Sequence, residues 1–180
     1  MAEEFEGFAS LRARLVASRG ARELWVRLRK GGPVTWEDCV RAALCVGWID
    51  AQKRGESETT WLQRLVPRRR GSTWSQRNRD HVERLIAEGL MEPAGLAEVE
   101  AARADGRWDA AYAGQRDMVI PADFLLALED RPVARATFAT LNRANLYAIY
   151  HRLHTARTPA TRAARMERLL ATLDRGERFH

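Results

Sequence analysis

The 180-residue chain combines 46% hydrophobic with 30% charged residues, which is the balance of a folded globular protein with an apolar core. It contains no apolar run of the roughly 18–20 residues that cross a bilayer, and its acidic start lacks the basic-then-apolar pattern of a secretory signal. We therefore expect no membrane insertion and a cytoplasmic location. The formal net charge of +6 favours acidic partners.

The first 70 residues predict a mixture of helices and strands. Apolar residues at helical spacing predict a helix over 5–19 that ends at Gly20, and a second helix starts at a capping Thr35. Alternating apolar residues predict strands over 23–30, 48–54 and 59–66. The short polar segment 55–58 joins the last two strands as a hairpin.

The remainder of the chain predicts helices alone. Each of them starts at a capping residue or at a proline of the first turn: Ser75, Pro93, Pro121, Pro132, Asn142 and Thr158. The predicted fold is therefore α+β, with a small antiparallel sheet and its hairpin in the N-terminal part, followed by an all-helical C-terminal part. We place the domain boundary so that an α+β domain covers residues 1–115 and a helical region covers 116–180.

Charge is distributed unevenly along the chain. Residues 48–79 carry eight basic and three acidic side chains, whereas residues 80–130 carry four basic and twelve acidic ones. The basic segment also contains tryptophans, and guanidinium groups beside indoles suit phosphates and stacked bases. The helix that starts at Ser75 adds free backbone amides. We predict one basic and aromatic ligand-binding surface from these residues: Trp48, Asp50, Arg54, Arg64, Arg68, Arg69, Trp74 and Ser75.

Other interpretations of the same residues stay open. The tryptophans also suit a role as core residues that cover helices, and Asp50 suits a structural ion pair with Arg54 or Arg64. A second basic surface is predicted on the last helix, where Arg162, Arg165 and Arg168 follow one another at three-residue steps after Arg157. It is a solvated face, or it docks onto the acidic segment 80–130.

The sequence predicts no cofactor and no metal site. His151 and His154 lie three residues apart, but no carboxylate follows them at helical spacing, and Cys39 and Cys45 form no CxxC pair. We expect both cysteines to be buried free thiols. The chain also lacks the motifs of a nucleophile elbow, a phosphate-binding loop and a dinucleotide-binding turn, so no catalytic residue is assigned and the question of an enzyme stays open.

Several separated motifs resemble the YdeI/OmpD-associated, bacteriocin-protection (OmdA-type) family. The stretch 43–50, ALCVGWID, is similar to the family's EALCFGWID, and further similarity lies at 67–69, 74–75 and 105–109. The stretch 155–165, TARTPATRAAR, is similar to the family's TAKxPETRxRRI end. The resemblance runs from about Trp25 to Gly176. Ala160 departs from the family pattern, because it replaces a glutamate near the start of the last helix.

The resemblance implies a connection with envelope stress or bacteriocin protection. Together with the missing catalytic motifs and the expected cytoplasmic location, it leads us to expect a non-enzymatic binding or protective protein that acts from the cytoplasm. Its expected partner is a phosphate-bearing ligand or nucleic acid. Two alternatives use the same surface. One is an enzyme on a phosphorylated or nucleotide substrate, with Asp50 as its acid–base group. The other is a sequence-independent nucleic-acid binder, whose affinity would fall steeply with salt.

Overall fold

A computed structural model describes residues 2–18 and 20–179. The chain divides into two compact units, an N-terminal unit of residues 1–111 and a C-terminal unit of residues 112–180. Each is described by itself. None of the described helices is both long enough and apolar enough to span a membrane.

The N-terminal unit consists of a three-stranded antiparallel sheet and four helices. In chain order these are α1 (Phe8–Val16), β1 (Leu24–Arg29), α2 (Trp36–Cys45), β2 (Trp48–Gly55), β3 (Thr60–Pro67), α3 (Gln76–Ala87) and α4 (Pro93–Ala104). The strand order is β1-β3-β2. The predicted fold class is thereby confirmed. The predicted helix 5–19 is shorter, and Arg19 lies outside the described residues.

One face of this sheet builds the core of the N-terminal unit. The alternating side chains of Leu24, Val26 and Leu28 are at most 4% exposed, and they pack with the buried residues of α1 and α2. Both cysteines belong to this core as free thiols, and burial raises the pKa of Cys39 to about 12. A thiol of this kind stays protonated and is a packing residue rather than a nucleophile.

Helix α4 packs closely on the end of α2. A Cβ atom built at Gly95 would lie 2.3 Å from the carbonyl oxygen of Cys45, which is far inside van der Waals contact. The backbone amide of Glu92 donates to the same oxygen at 2.9 Å. The carbonyl at the end of α2 thus accepts a hydrogen bond from the residue before α4. This contact fixes the position of β2, which follows α2 directly.

The C-terminal unit is helical. It contains α5 (Ala122–Ala127), α6 (Pro132–Ala139), α7 (Arg143–His154) and α8 (Pro159–Asp174). Phe124, Ile149, Leu153 and Leu173 are at most 1% exposed and form the centre of its core. The predicted caps of α7 and α8 are confirmed, because Asn142 accepts from the amide of Asn145 and Thr158 from that of Thr161.

Candidate functional site

A β-bulge in β2 divides the predicted binding surface. The register between β2 and β3 shifts between Asp50 and Gln52, so that Asp50 lies opposite Leu65 and Arg54 lies opposite Leu62. Leu65 is on the core face of β3, and Leu62, three residues away, is on the outer face. Regular alternation along the predicted strand would put Trp48, Asp50 and Arg54 on one face, but the inserted residue reverses the alternation, and Arg54 lies on the opposite face from the other two.

The residues before the bulge lie on the core face. Trp48 is only 7% exposed, and it belongs to the core cluster of the N-terminal unit. The carboxylate of Asp50 accepts a hydrogen bond from the indole nitrogen of Trp36 at 3.1 Å. Asp50 forms a tertiary contact with α2 and pairs with neither Arg54 nor Arg64.

The arginines after the bulge gather around one indole on the outer face. The guanidinium carbons of Arg54 and Arg64 lie 5.7 Å and 5.9 Å from the ring centre of Trp25. Arg64 also donates to Glu23 at 2.7 Å, and this hydrogen bond, followed by one from Trp25, holds the pKa of Glu23 below its usual value. A basic and aromatic surface was predicted from these residues, but the guanidinium group of Arg64 is already paired with the carboxylate of Glu23.

The neighbouring arginines of β1 are paired in the same way. Arg27 makes two hydrogen bonds to Glu56, at 2.8 Å and 3.0 Å, and a longer one to Glu4. The Nη2 atom of Arg29 lies 3.9 Å from the Oε2 atom of Glu4. The outer face therefore carries four arginines against three glutamates, so most of the positive charge expected from the sequence is cancelled locally.

Arg68 and Trp74 are core residues of the loop between β3 and α3. Arg68 is 8% exposed; its guanidinium carbon lies 3.5 Å above the ring centre of Trp74, and it donates to the carbonyl of Thr73. Trp74 is 2% exposed and meets Trp108 edge to face at 5.0 Å. This cluster stabilises the loop.

The last two members of the predicted set flank this cluster. Arg69 is exposed, and Ser75 caps α3 by accepting from the amide of Asn78. The eight predicted side chains thus lie in three places: the core side of β2, the outer face of the sheet and the loop before α3. Their role in binding a ligand stays a prediction, but the structure does not bring them into one recess.

The C-terminal unit contains a basic cleft between α7 and α8. Its volume is about 750 Å³, within the range of small-molecule sites. The lining side chains are His151, Arg152, Thr155, Thr161, Arg165, Arg168, Leu169, Thr172 and Phe179. We call Arg152, Arg165 and Arg168 the three cleft arginines. None of the lining residues is acidic, so the cleft carries three positive charges and several hydroxyl groups.

The cleft arginines are oriented by contacts with uncharged groups. Arg165 donates to the carbonyl of Arg152 at 2.7 Å and to the hydroxyl of Thr155 at 3.2 Å. The guanidinium carbon of Arg152 lies 5.0 Å from the ring centre of Phe179, and Arg168 donates to the carbonyl of Ala164. These contacts orient the side chains, and no carboxylate of residues 112–179 pairs with them.

Carboxylates in this unit pair with other arginines. Among residues 112–179 the ion pairs involve Arg131, Arg162 and Arg175. None of these pairs includes a cleft arginine. The carboxylate partners in this unit thus belong to Arg131, Arg162 and Arg175, whereas the cleft arginines line one cavity without such a partner among the described residues.

His151 adds a titratable group to the cleft. Its ring meets Tyr112 edge to face at 4.7 Å and lies 5.8 Å from the ring of Tyr147. Burial lowers the pKa of His151, and the positive charges of its neighbours lower it further. Both effects favour the neutral form of its imidazole.

Two protein families match the chain, one in each half. Residues 4–98 match a domain of unknown function (DUF8412), which is 95 of the 180 residues and more than half of the chain. The chain belongs to the DUF8412 family. Residues 117–176 match the family described as bacteriocin-protection, YdeI or OmpD-associated (OmdA), which confirms the predicted resemblance. No curated protein and no solved structure matches the chain.

The OmdA match covers most of the cleft. It includes every lining residue except Phe179, which follows its last residue. The motifs quoted at 43–50, 67–69 and 74–75 lie instead within the DUF8412 match. The family with a described role in bacteriocin protection is thus matched by the part of the chain that holds the unpaired arginines.

The second basic surface was predicted from the sequence, but the cleft was not. The prediction placed Arg162 with Arg165 and Arg168, whereas Arg162 pairs with Asp123, a member of the acidic segment. Arg165 and Arg168 turn away from that pair and line the cavity. Arg152 and His151 lie on the preceding helix, and only the packing of α7 against α8 brings them to the same site.

Proposed function

We propose that this protein is a non-enzymatic, cytoplasmic binding protein of the bacteriocin-protection type, and that it holds an oxyanionic, phosphate-bearing ligand in the cleft of its OmdA region. One observation carries the proposal. The three cleft arginines line one cavity, and no carboxylate among the described residues pairs with them.

Unpaired arginines in a cavity favour anions for two reasons. Guanidinium groups present fixed, planar sets of donors that match phosphate and carboxylate oxygens, and such charge-assisted hydrogen bonds are stronger than neutral ones. Arg165 is already held by Thr155 and by a backbone carbonyl, so little side-chain freedom is lost when a ligand binds. The hydroxyl of Thr161, which accepts a hydrogen bond from that of Thr158, offers a further donor.

A binding role is supported over catalysis by the layout of the N-terminal unit. The enzyme hypothesis needs Asp50 beside arginines that clamp a phosphate. Asp50 accepts from Trp36 on the core face, while Arg54 and Arg64 lie around Trp25 on the outer face. The nucleic-acid hypothesis needs a positively charged sheet, and three glutamates offset the arginines there.

Titration calorimetry with sulfate, inorganic phosphate and nucleotides tests the proposal. We expect wild-type protein to bind one such anion per chain and the single variant Arg165→Gln to bind it roughly tenfold or more weakly, since a hydrogen bond to a charged group contributes about 1.5–3 kcal/mol. The double variant Arg165→Gln with Arg168→Gln should show no measurable binding.

Arg157→Gln is the matched control for these variants. Arg157 is exposed on the same unit and does not line the cleft, so the control changes the net charge equally. We expect it to bind within about twofold of wild type, since exposed charges are screened. If Arg157→Gln and Arg165→Gln lose equal affinity for the anion, the loss is an effect of net charge, and a specific site is refuted.

A cellular experiment tests the protective role separately. In a strain without the endogenous gene, survival under bacteriocin exposure is compared between cells that produce wild-type protein, the cleft double variant and Arg157→Gln at equal levels. We expect wild type and Arg157→Gln to protect and the double variant to fail. Full protection by a double variant that has lost anion binding would separate protection from the cleft.

A further inference from the structure

His151 is the histidine among the described residues that line the cleft. It stands at the fourth-last position of α7, directly before Arg152, and its side chain is half-buried. A ring in this position is neutral or charged depending on what else occupies the cavity. Its surroundings therefore decide whether an anion and a proton bind independently.

Every titratable or charged group that faces His151 is neutral or positive. On α7 the groups are Arg152, His154 and Tyr147, on α8 the group is Arg165, and Tyr112 lies before α5. Among the described residues, no carboxylate acts on its ring. A proton on His151 thus has no counter-charge within that part of the chain, and an anion in the cleft would supply one.

We propose that the cleft takes up a tetrahedral dianion, the chemistry shared by sulfate and a phosphate monoester, together with a proton on His151. This inference rests on the proposed function, since it concerns the same site. Binding then becomes stronger under mildly acidic conditions, and the protein responds to a fall in pH by holding its ligand more tightly.

The sign of the effect follows from linkage. The neighbouring dianion raises the pKa of His151 in the complex above its value in the free protein. Affinity therefore rises as the pH falls through the pKa of the complex, and it levels off below the pKa of the free protein. Each unit by which the ligand raises that pKa gives about a tenfold gain in affinity.

Sulfate is the probe for the test, because it stays a dianion across the range in which histidine titrates, whereas phosphate itself takes up a proton. Calorimetric titrations at fixed ionic strength and at roughly pH 5.5, 6.5 and 7.5 give the affinity. Two buffers of different ionisation enthalpy at each pH give the number of protons taken up. For wild type we expect roughly tenfold tighter binding at the lowest pH, with proton uptake below one per sulfate.

Two variants assign the proton. His151→Gln should bind sulfate with an affinity that no longer depends on pH, and it should take up no proton. His154→Gln removes a histidine three residues away that does not line the cleft, so the pH dependence should remain. Loss of pH dependence in His154→Gln with its retention in His151→Gln would overturn the assignment.

The outcomes distinguish the two claims. Sulfate binding that is independent of pH in wild type overturns the proton coupling and leaves the proposed anion site standing. No sulfate binding at any pH overturns both. If His151→Gln does not fold, the imidazole signals of wild-type protein are titrated by NMR with and without sulfate. An unchanged pKa of His151 in the presence of bound sulfate would refute the inference.

Discussion

Two groups of arginines in this protein have the same chemistry and different surroundings. On the outer face of the sheet, Arg27 and Arg64 donate to Glu56 and Glu23, so their charges are compensated. In the C-terminal unit, the three cleft arginines are held by carbonyl oxygens, a hydroxyl and an aromatic ring. The sheet presents a nearly neutral surface, whereas the cleft presents uncompensated charge.

The comparison shows that arginine density along a sequence does not locate an anion site. Carboxylates that neutralise the sheet come from residues 29 and 41 positions away in the chain. Local charge counts miss such pairs, because they form only when the strands assemble. What distinguishes the cleft is that none of the described residues lining it is acidic, which is a property of the folded cavity.

The largest expected effect is on stability, and it tests whether Trp74 of the predicted surface is a core residue or a ligand-binding residue. Trp74→Ala should lower the free energy of unfolding of the N-terminal unit by about 3–5 kcal/mol, because a buried indole is lost. Trp36→Ala is the control, since that indole is 37% exposed, and it should cost about 1 kcal/mol or less. Urea unfolding followed by tryptophan fluorescence reports on this unit, as all six tryptophans lie within it.

The same variants sharpen the comparison between the two regions. Folded Trp74→Ala protein should bind sulfate at the cleft within about twofold of wild type, since independent sites do not couple. If Trp74→Ala costs no more stability than Trp36→Ala but abolishes anion binding, Trp74 is a ligand residue, and the original surface prediction is restored.

A smaller effect is expected from two adjacent arginines. Arg68→Ala should destabilise the N-terminal unit by about 2 kcal/mol, because a buried guanidinium stacked on Trp74 and bonded to a carbonyl is removed. Arg69→Ala removes an exposed side chain and should change stability by about 0.5 kcal/mol or less. Urea midpoints of the two variants check this difference, and equal midpoints would contradict the buried role of Arg68.

The smallest expected effect comes from releasing the paired arginines. The double variant Glu23→Gln with Glu56→Gln frees Arg64 and leaves Arg27 only its longer contact with Glu4, so the outer face should gain weak binding to single-stranded DNA at low salt. The slope of log affinity against log salt should steepen by about one for each freed arginine. Fluorescence anisotropy with a labelled oligonucleotide measures this slope.

Glu58→Gln with Glu100→Gln is the control for net charge. Both glutamates are exposed, and neither takes part in an ion pair of the described chain. This control should leave the slope nearly unchanged. A slope that steepens equally in both double variants would mean that pairing on the sheet does not limit anion binding.

The sequence predicted much of the fold, because its signals there are local. Thr35 and Ser75 cap the helices that they were predicted to cap, and the alternation of Leu24, Val26 and Leu28 predicted β1. The three strands pair antiparallel as the hairpin pattern indicated. Helix caps, turns and the alternation of apolar residues depend on residues within a few positions of one another, so the sequence alone predicts them.

The candidate site was less predictable, because it depends on tertiary structure. The bulge at Ala51 reverses which side chains of β2 point to each face of the sheet, and no residue type in that stretch predicts a bulge. The cleft combines Arg152 on α7 with Arg165 on α8, and their proximity follows from helix packing. The partners in ion pairs and the residues that line a cavity are determined by contacts between distant segments. The spacing of residues along the chain does not predict these contacts.

Anomalous diffraction from crystals soaked with selenate, a heavier analogue of sulfate, tests the central claim most directly, because it locates the bound dianion. We expect the strongest selenium peak in the cleft, within hydrogen-bond distance of the cleft arginines, and its absence from crystals of the double variant Arg165→Gln with Arg168→Gln. A strongest peak on the outer face beside Arg54 and Arg64, with an empty cleft, would contradict the account.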